Sequence, residues 1–409
     1  MKALGLVVEY NPFHNGHAFH LEKSKETIDA DIVIAIMSGP FLQRGEPSLL
    51  SKWARAEMAL AAGVDLVFEL PYAFAPQKAE IFARGAIMAL EALECDSFCF
   101  GSENGRIQPF IETYHFLQKE KEQYDALVKK YMKEGNSYPR AASFAFSGLD
   151  HAGDSLDLSK PNNILGMEYV KAALSKGFQI KPTTIKRVQA GYHDEALPEN
   201  SIASATAIRK SIFESETNVD NISGYVPLST LLVLTDYIKS YGRLHNWELY
   251  WPLLKYKILS VTAVDLRQIY EMEEGIEYRI HEAALQSSTF AGFMASIKTK
   301  RYTWTRLQRM CVHILTNTTK EEMHLLQGEP AYIRLLGMTS DGREYLRSKK
   351  KHLPIPLVSR LSSFDSPEIV PDIRAARIYA MGLSEPYQSK LMKREFEAPA
   401  IIEKKPVTR

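Results

Sequence analysis

Residues 3–28 constrain the fold more than any other stretch of the chain. An apolar run, Ala3 to Val8, leads through Glu9-Tyr10-Asn11-Pro12-Phe13 into His14-Asn15-Gly16-His17 and then into a helical pattern that ends at Ile28. A short apolar run bounded by turn residues reads as a buried strand. Pro12 and Gly16 stop that strand and allow the backbone to approach a ligand closely. The unit recurs: Asp31 to Met37, Leu66 to Leu70 and Ser97 to Gly101 read as strands, and Lys52 to Ala62 and Ala79 to Leu93 as helices between them. Alternation of this kind predicts an α/β domain, a doubly wound parallel sheet with helices on both faces. Ligands of such sheets bind at the C-terminal ends of the strands, where the His14–His17 turn falls.

Beyond Gly101 the spacing turns helical over Pro109 to Met132 and Asn162 to Lys176, with Pro139 to Ser159 between them as a loop rich in Gly, Ser and Asp. A further strand is expected over Thr183 to Val188, and a helix over Ile202 to Phe213. The first domain is placed at residues 1–224 and the second, mostly helical, at 225–409. Helices in the second are expected over Leu231 to Tyr241, Trp247 to Leu259 and Ala283 to Ile297, and a loosely ordered tail from Glu395.

Composition narrows the setting. Three cysteines, Cys95, Cys99 and Cys311, are too few and too unevenly placed for a disulfide framework, and no second Cys or His pair completes a zinc site around Cys95 and Cys99. No apolar run reaches the roughly 18 residues of a membrane span, and the polar residues in and after Met1 to Tyr10 set it apart from a signal peptide. A cytoplasmic protein is expected, and the sequence leaves its oligomeric state open. The net charge of +1 conceals a basic end, since residues 301–409 carry 19 Lys and Arg against 12 Asp and Glu. A polyanion would approach that end first.

His14 and His17 are three residues apart at a helix entrance, so both imidazoles can face one ligand, beside backbone N–H groups and the positive end of the helix dipole. That suits charge developing on a phosphoryl group. A metal site of His14, His17 and His20 is the competing reading, and no metal ligand is assigned. Far along the chain, Ser204-Ala205-Thr206-Ala207-Ile208-Arg209 opens another helix. Ser204 and Thr206 can cap it, and Arg209 lies on the same side of the first turn, a set able to hold terminal phosphates.

The His14–His17 motif followed by Ser204–Arg209 resembles the HIGH-type nucleotidyltransferases, whose fold is Rossmann-like. The chain is similar over nearly its whole length to one family among them, the bacterial tRNA(Met) cytidine acetate ligases. The segments that carry this likeness are Gly5 to His17, Ser38 to Pro47, Gly63 to Pro71, Phe100 to Glu103, Ser204 to Arg209 and Lys298 to Arg306. The resemblance implies ATP as a substrate, acetate as the acid that it activates, and transfer of the acetyl group to N4 of the wobble cytidine of elongator tRNA(Met). It implies catalytic roles for His14 and His17 and an ATP site that takes in Val7, Val8, Glu9, Tyr10, Asn11, Pro12, Phe13, His14, Asn15, Gly16, His17, Gly101, Asn162, Arg187, Ser204, Thr206 and Arg209. Magnesium is expected only because ATP phosphates usually bring it.

A third motif lies in the basic end. Lys298, Lys300, Arg301 and Arg306 interleave with Tyr302 and Trp304, followed by Arg309, a composition that suits phosphates and unpaired bases of single-stranded RNA. A solvated helix face with buried rings is the other reading. Lys349-Lys350-Lys351-His352 is a weaker phosphate contact. Gln43, Arg44 and Glu46 form a polar loop on the ligand side of the sheet, with Arg44 free to serve ATP or tRNA, whereas Lys52, Arg55 and Glu57 read as a helix face. Two other functions share these residues: an adenylyltransferase for a small metabolite, and a non-catalytic RNA-binding protein on the same fold. A class I aminoacyl-tRNA synthetase fits less well, because no Lys-Met-Ser-Lys-Ser type loop is present.

Overall fold

The apolar runs of the N-terminal half lie side by side in the computed structural model, which describes residues 1–149, 156–187, 202–215, 217–273, 275–326, 328–397 and 401–403. β1 (Ala3–Val8), β2 (Ile32–Ser38), β3 (Leu66–Leu70), β4 (Ser97–Ser102) and β5 (Lys181–Lys186) pair in parallel in the order β5-β4-β1-β2-β3. The order reverses at β1, which pairs with β2 on one edge and β4 on the other. Alternate residues feed two cores: Val33, Ala35 and Met37 join one, and Ile32, Ile34 and Ile36 the other. Every residue of β2 and β3 is therefore buried, as a sheet covered on both faces requires.

The covering helices are α1 (Asn15–Ile28), α2 (Lys52–Ala61), α3 (Ala79–Ala92), α4 (Gln108–Lys119), α5 (Lys121–Lys133), α6 (Tyr138–Ser147), α7 (Pro161–Lys176) and α8 (Ala205–Glu214). The helix expected over Pro109 to Met132 is thus two, broken at Glu120. Much of the expected loop from Pro139 is α6, with Pro139 in its first turn, where a missing N–H costs nothing. Residues 150–155 of that loop, and Val188 at the expected end of β5, lie outside the described residues.

The chain then becomes helical: α9 (Leu228–Tyr241), α10 (Trp247–Leu259), α11 (Ala263–Leu266), α12 (Ile276–Gln286), α13 (Phe290–Ile297), α14 (Trp304–Leu315) and α15 (Lys320–Leu326). The single helix expected over Ala283 to Ile297 is interrupted, since Ser287 is extended and Thr289 caps α13. After α15 the chain returns to the sheet. β6 (Ile333–Thr339) pairs antiparallel with β3, so the sheet is not wholly parallel. β7 (Leu357–Val358) and β8 (Ile401–Glu403) run along the other edge of β6, with α16 (Ser340–Lys349), α17 (Val370–Ala380) and α18 (Tyr387–Glu397) between. Part of the tail is accordingly tied down at Ile401–Glu403, and residues 398–400 and 404–409 lie outside the described residues. Among the described residues no helix is long and apolar enough to cross a membrane.

The sequence reading of Lys52 and Arg55 as a solvated helix face is overturned: both are buried, and only Glu57 of the three is exposed. Lys52 Nζ sits between Glu69 of β3, at 2.7 Å, and Glu395 of α18. Arg334 of β6 bonds the same two carboxylates at 3.2 and 2.7 Å, and Trp53 Nε1 donates to Glu395 at 3.2 Å. Two cations and two anions thus close a buried group that fastens β6 and α18 onto the first half of the chain. Removing one partner strands the opposite charge in a desolvated place. Lys52→Met is expected to lower the free energy of unfolding by about 3–5 kcal/mol in urea titrations; a loss under about 1 kcal/mol would contradict this role of the group.

Candidate active site

The site begins where β1 ends. Val7, Val8 and Glu9 are partly exposed there, whereas Tyr10, Asn11, Pro12, Phe13 and His14 are buried. Tyr10 takes a left-handed φ of 48°, which turns the chain off the strand. Asn11 Oδ1 accepts from Leu49 N at 2.6 Å. His14 is the N-cap of α1: its Nδ1 accepts from Gly16 N at 3.1 Å, while His17 Nδ1 accepts from His14 N at 3.3 Å. The two imidazoles stack with centroids 3.7 Å apart. With both Nδ1 atoms acting as acceptors, Nε2 carries the proton in each neutral ring.

Burial, reinforced by Arg187 and Arg209, lowers the His14 pKa to about 3. Burial and the neighbouring His14 hold His17 well below the ordinary histidine range, and burial and Arg187 lower His20 to about 4. At neutral pH these rings are uncharged donors beside cations, an arrangement that awaits an anion. Gly16 is needed for close packing, since a Cβ there would come within 2.9 Å of the His14 ring. Asn15 fixes the helix start from the far side, its N donating to Tyr225 O at 2.9 Å and its Nδ2 to Gly224 O at 3.0 Å.

Arg209 reaches this point from α8. Its guanidinium donates to Asn11 O at 2.9 Å and to Glu46 at 3.0 Å. Ser204 caps α8 by accepting from Ala207 N at 3.0 Å, whereas Thr206 lies inside the first turn and is exposed. Of the two expected caps, only Ser204 caps. The loop after β2 completes this side: Gln43 N donates to Glu9 Oε1 at 2.8 Å, and the charges of Arg44 and Glu46 act on Glu9.

The opposite side is built at the ends of β4 and β5. Arg187 crosses the end of β4 at Gly101, where a Cβ would stand 2.9 Å from Arg187 Cγ and 3.4 Å from His20 Cδ2. Glu103 accepts from Asn162 Nδ2 at 2.8 Å and from Asn163 N at 2.9 Å, holding the start of α7. Asn162 Oδ1 in turn accepts from Arg187 at 3.4 Å. Arg187 and Arg209 both act on His14, Arg187 in turn meets Gly101 and Asn162, and Arg209 meets Asn11, so these residues come together around the strand ends. Among the described residues no group of three His, Cys, Asp or Glu side chains is placed to hold a metal ion.

Arg55 is the residue of this site that periodicity hid. It is fully buried in α2, and its guanidinium donates to Glu9 O at 2.7 Å, Ser38 O at 2.9 Å, Gly39 O at 2.5 Å and Leu50 O at 3.3 Å. It thus joins the ends of β1 and β2, the roots of both loops that flank the crevice.

The basic motif lies on the other side of the β2 loop. Gly45, at φ 76°, packs so closely on α14 that a Cβ would meet Arg309 N at 2.3 Å. Lys298, Lys300, Arg301 and Trp304 are exposed between α13 and the first turn of α14. Tyr302 is buried and donates to Glu273 O at 2.7 Å, so it offers no open face for a base. Its ring instead carries the Arg306 guanidinium at 4.8 Å, which also pairs with Glu273 at 2.7 Å, and Arg309 pairs with Glu271 at 2.9 Å. Lys349 of the weaker basic run pairs with Glu94 at 2.6 Å.

The family model for HIGH nucleotidyl transferases matches residues 1–394. The tRNA(Met) cytidine acetate ligase of Geobacillus sp. (strain WCH70) is 50% identical over 98% of this chain and 100% of its own length, and that of Bacillus subtilis (strain 168) is 51% identical over 97% and 96%. Among solved structures, apo Thermotoga maritima TmcAL superposes with a TM-score of 0.90 at 33% identity, covering 99% of this chain and all of its own, and the form bound with alpha-thio ATP with 0.89. The chain belongs to the tRNA(Met) cytidine acetate ligase family of the HIGH nucleotidyl transferases.

Proposed function

We propose that this protein is an ATP-dependent ligase that forms acetyl-adenylate from acetate and ATP and passes the acetyl group to N4 of the wobble cytidine of elongator tRNA(Met). One observation carries the reading. The neutral imidazoles of His14 and His17, proposed phosphate donors at the N-terminus of α1, lie within electrostatic reach of Arg209 from α8, which supports the reading. The names of the close relatives, and the ATP analogue held by the structural neighbour, supply the substrates that such a crevice would take.

In the first step an acetate oxygen attacks the α-phosphorus, and the bond to the pyrophosphate oxygen breaks. No protein nucleophile is required, so catalysis rests on position and on charge stabilisation. His14 and His17 donate to phosphoryl oxygens as negative charge moves outward. Arg209, Ser204 and Thr206, at the mouth of α8, take the leaving pyrophosphate. Gly101, Asn162 and Arg187 hold the rest of the nucleotide. Magnesium, expected with the triphosphate, would enter on ATP itself, since the described residues offer it no cage of their own. In the second step N4 attacks the acetyl carbonyl carbon, AMP departs with the electrons of the C–O bond, and N4 gives up a proton.

The tRNA surface is assigned to Lys298, Lys300, Arg301 and Trp304, with Arg306 held on Tyr302 at its edge. The helix α14 that this surface opens is linked to the proposed ATP site through the β2 loop, which packs on α14 at Gly45 and carries Arg44, whose charge acts on Glu9.

ATP–pyrophosphate exchange that depends on acetate tests the first step. His17→Ala is expected to lower that exchange by about 100-fold or more while tRNA affinity stays within twofold, the loss expected of an electrostatic donor; undiminished exchange would remove His17 from the mechanism. Lys300→Ala with Arg301→Ala is expected to weaken tRNA binding in filter assays and to reduce the slope of log affinity against log salt by about 1–2, leaving exchange intact. An unaltered slope would move the RNA surface elsewhere.

A further inference from the structure

The second step needs an acceptor for the proton that N4 loses, and neither His14 nor His17 is suited to it, because both Nδ1 atoms already accept backbone N–H bonds. We infer that the Glu9 carboxylate is the general base of acetyl transfer, an assignment that rests on the ligase reading above.

Position is the first ground. Glu9 directly follows the last residue of β1, the strand at which the sheet order reverses, and is partly exposed. It is tied to the β2 loop through Gln43, and that loop is seated on α14 at Gly45. A nucleophile bound on α14 would thus meet the loop that holds Glu9.

The second ground is how the side chain is held. Oε1 accepts from Gln43 N at 2.8 Å, and the backbone carbonyl is fixed by Arg55 at 2.7 Å. Oε2 has no hydrogen-bond donor among the described residues. One oxygen is therefore anchored and the other is left for a substrate hydrogen, the division of labour that a base requires. The charged and titratable groups that face it are Arg44 and Glu46 of the β2 loop, Arg55 of α2 and Tyr169 of α7. Desolvation outweighs the two arginines and raises the Glu9 pKa, which strengthens it as a proton acceptor.

The step balances without any further reactant. The N4–C bond forms, the proton passes from N4 to Glu9 Oε2, the C–O bond to AMP breaks, and Glu9 later returns the proton to water. Because the base acts only when ionised, the transfer rate climbs as pH rises through the Glu9 pKa and then levels.

The test is single-turnover transfer from synthetic acetyl-adenylate to elongator tRNA(Met), run beside acetate-dependent exchange. Glu9→Gln is expected to lose at least about 100-fold in transfer, the range for a general base, together with the acidic limb of the transfer pH profile, whereas exchange, whose ATP site Glu9 adjoins, loses less than transfer does and keeps the shape of its own pH profile. Equal losses in both assays, or transfer that keeps pace with the unaltered protein, would overturn the role of Glu9 alone. Should Glu9→Gln not fold, Glu9→Asp must keep the limb with a rate lowered at least about tenfold, and an unchanged rate would overturn the role. If the unaltered protein transfers no acetyl group at all, the ligase reading fails and the assignment with it.

Discussion

One guanidinium sets the shape of the crevice. Arg55 is fully buried and has no carboxylate within ion-pair distance among the described residues, so its charge is spread over the carbonyls of Glu9, Ser38, Gly39 and Leu50. Burial drives its pKa down to about 10, still far enough above neutrality to keep it charged. The carbonyls of Glu9, Ser38 and Gly39 lie where two neighbouring strands end, and leaving such buried groups without this donor would be costly. Parallel strands leave such ends wherever loops diverge, and here a single side chain satisfies them. The turn at Tyr10, the cap at His14 and the loop that carries Arg44 all spring from points that Arg55 holds.

The same loop is gripped from the other side by the C-terminal helices. Trp247 Nε1 donates to Gly45 O at 2.9 Å, Tyr379 OH to Ser48 O at 2.8 Å, and His245 N to Leu49 O at 2.8 Å. His245 is neutral, lowered to about 3 by burial, and lies between the hydroxyls of Tyr237 and Tyr250 at 2.9 and 2.6 Å. Residues of α1, α2, α9, α10 and α14 share one core with this loop. The helix that opens the region proposed to meet RNA and the loop that borders the region proposed to meet ATP are therefore packed on one core.

Much of this is legible in the sequence, and the reason is local. A strand, a Pro–Gly-punctuated turn and a helix entrance are written in consecutive residues, so β1, α1 and the place of His14 and His17 at the helix entrance follow from the order of residues alone, as does the Ser204 cap of α8, whereas the capping of α1 by the two histidines themselves does not. What escapes depends on partners far away. Lys52 and Arg55 have the spacing of a polar helix face, and only Glu395, Arg334 and the carbonyls of the strand ends turn that face inward. Tyr302 and Trp304 look alike in sequence, yet only the tryptophan is exposed, because Glu273 accepts the tyrosine hydroxyl from 29 residues earlier. β6 escapes too, although Ile333–Thr339 is an apolar run of strand length, since its pairing with β3 spans more than 260 residues. Pro139 reads as a loop signal where it opens α6, a position in which proline serves either purpose.

The product of the reaction is the most direct test of the ligase assignment. Elongator tRNA(Met) incubated with the protein, ATP and acetate, then digested and weighed by mass spectrometry, should gain one acetyl group on the anticodon cytidine, and should gain none when ATP or acetate is omitted. A tRNA that leaves the reaction unmodified while the protein consumes ATP against some other acceptor would contradict it.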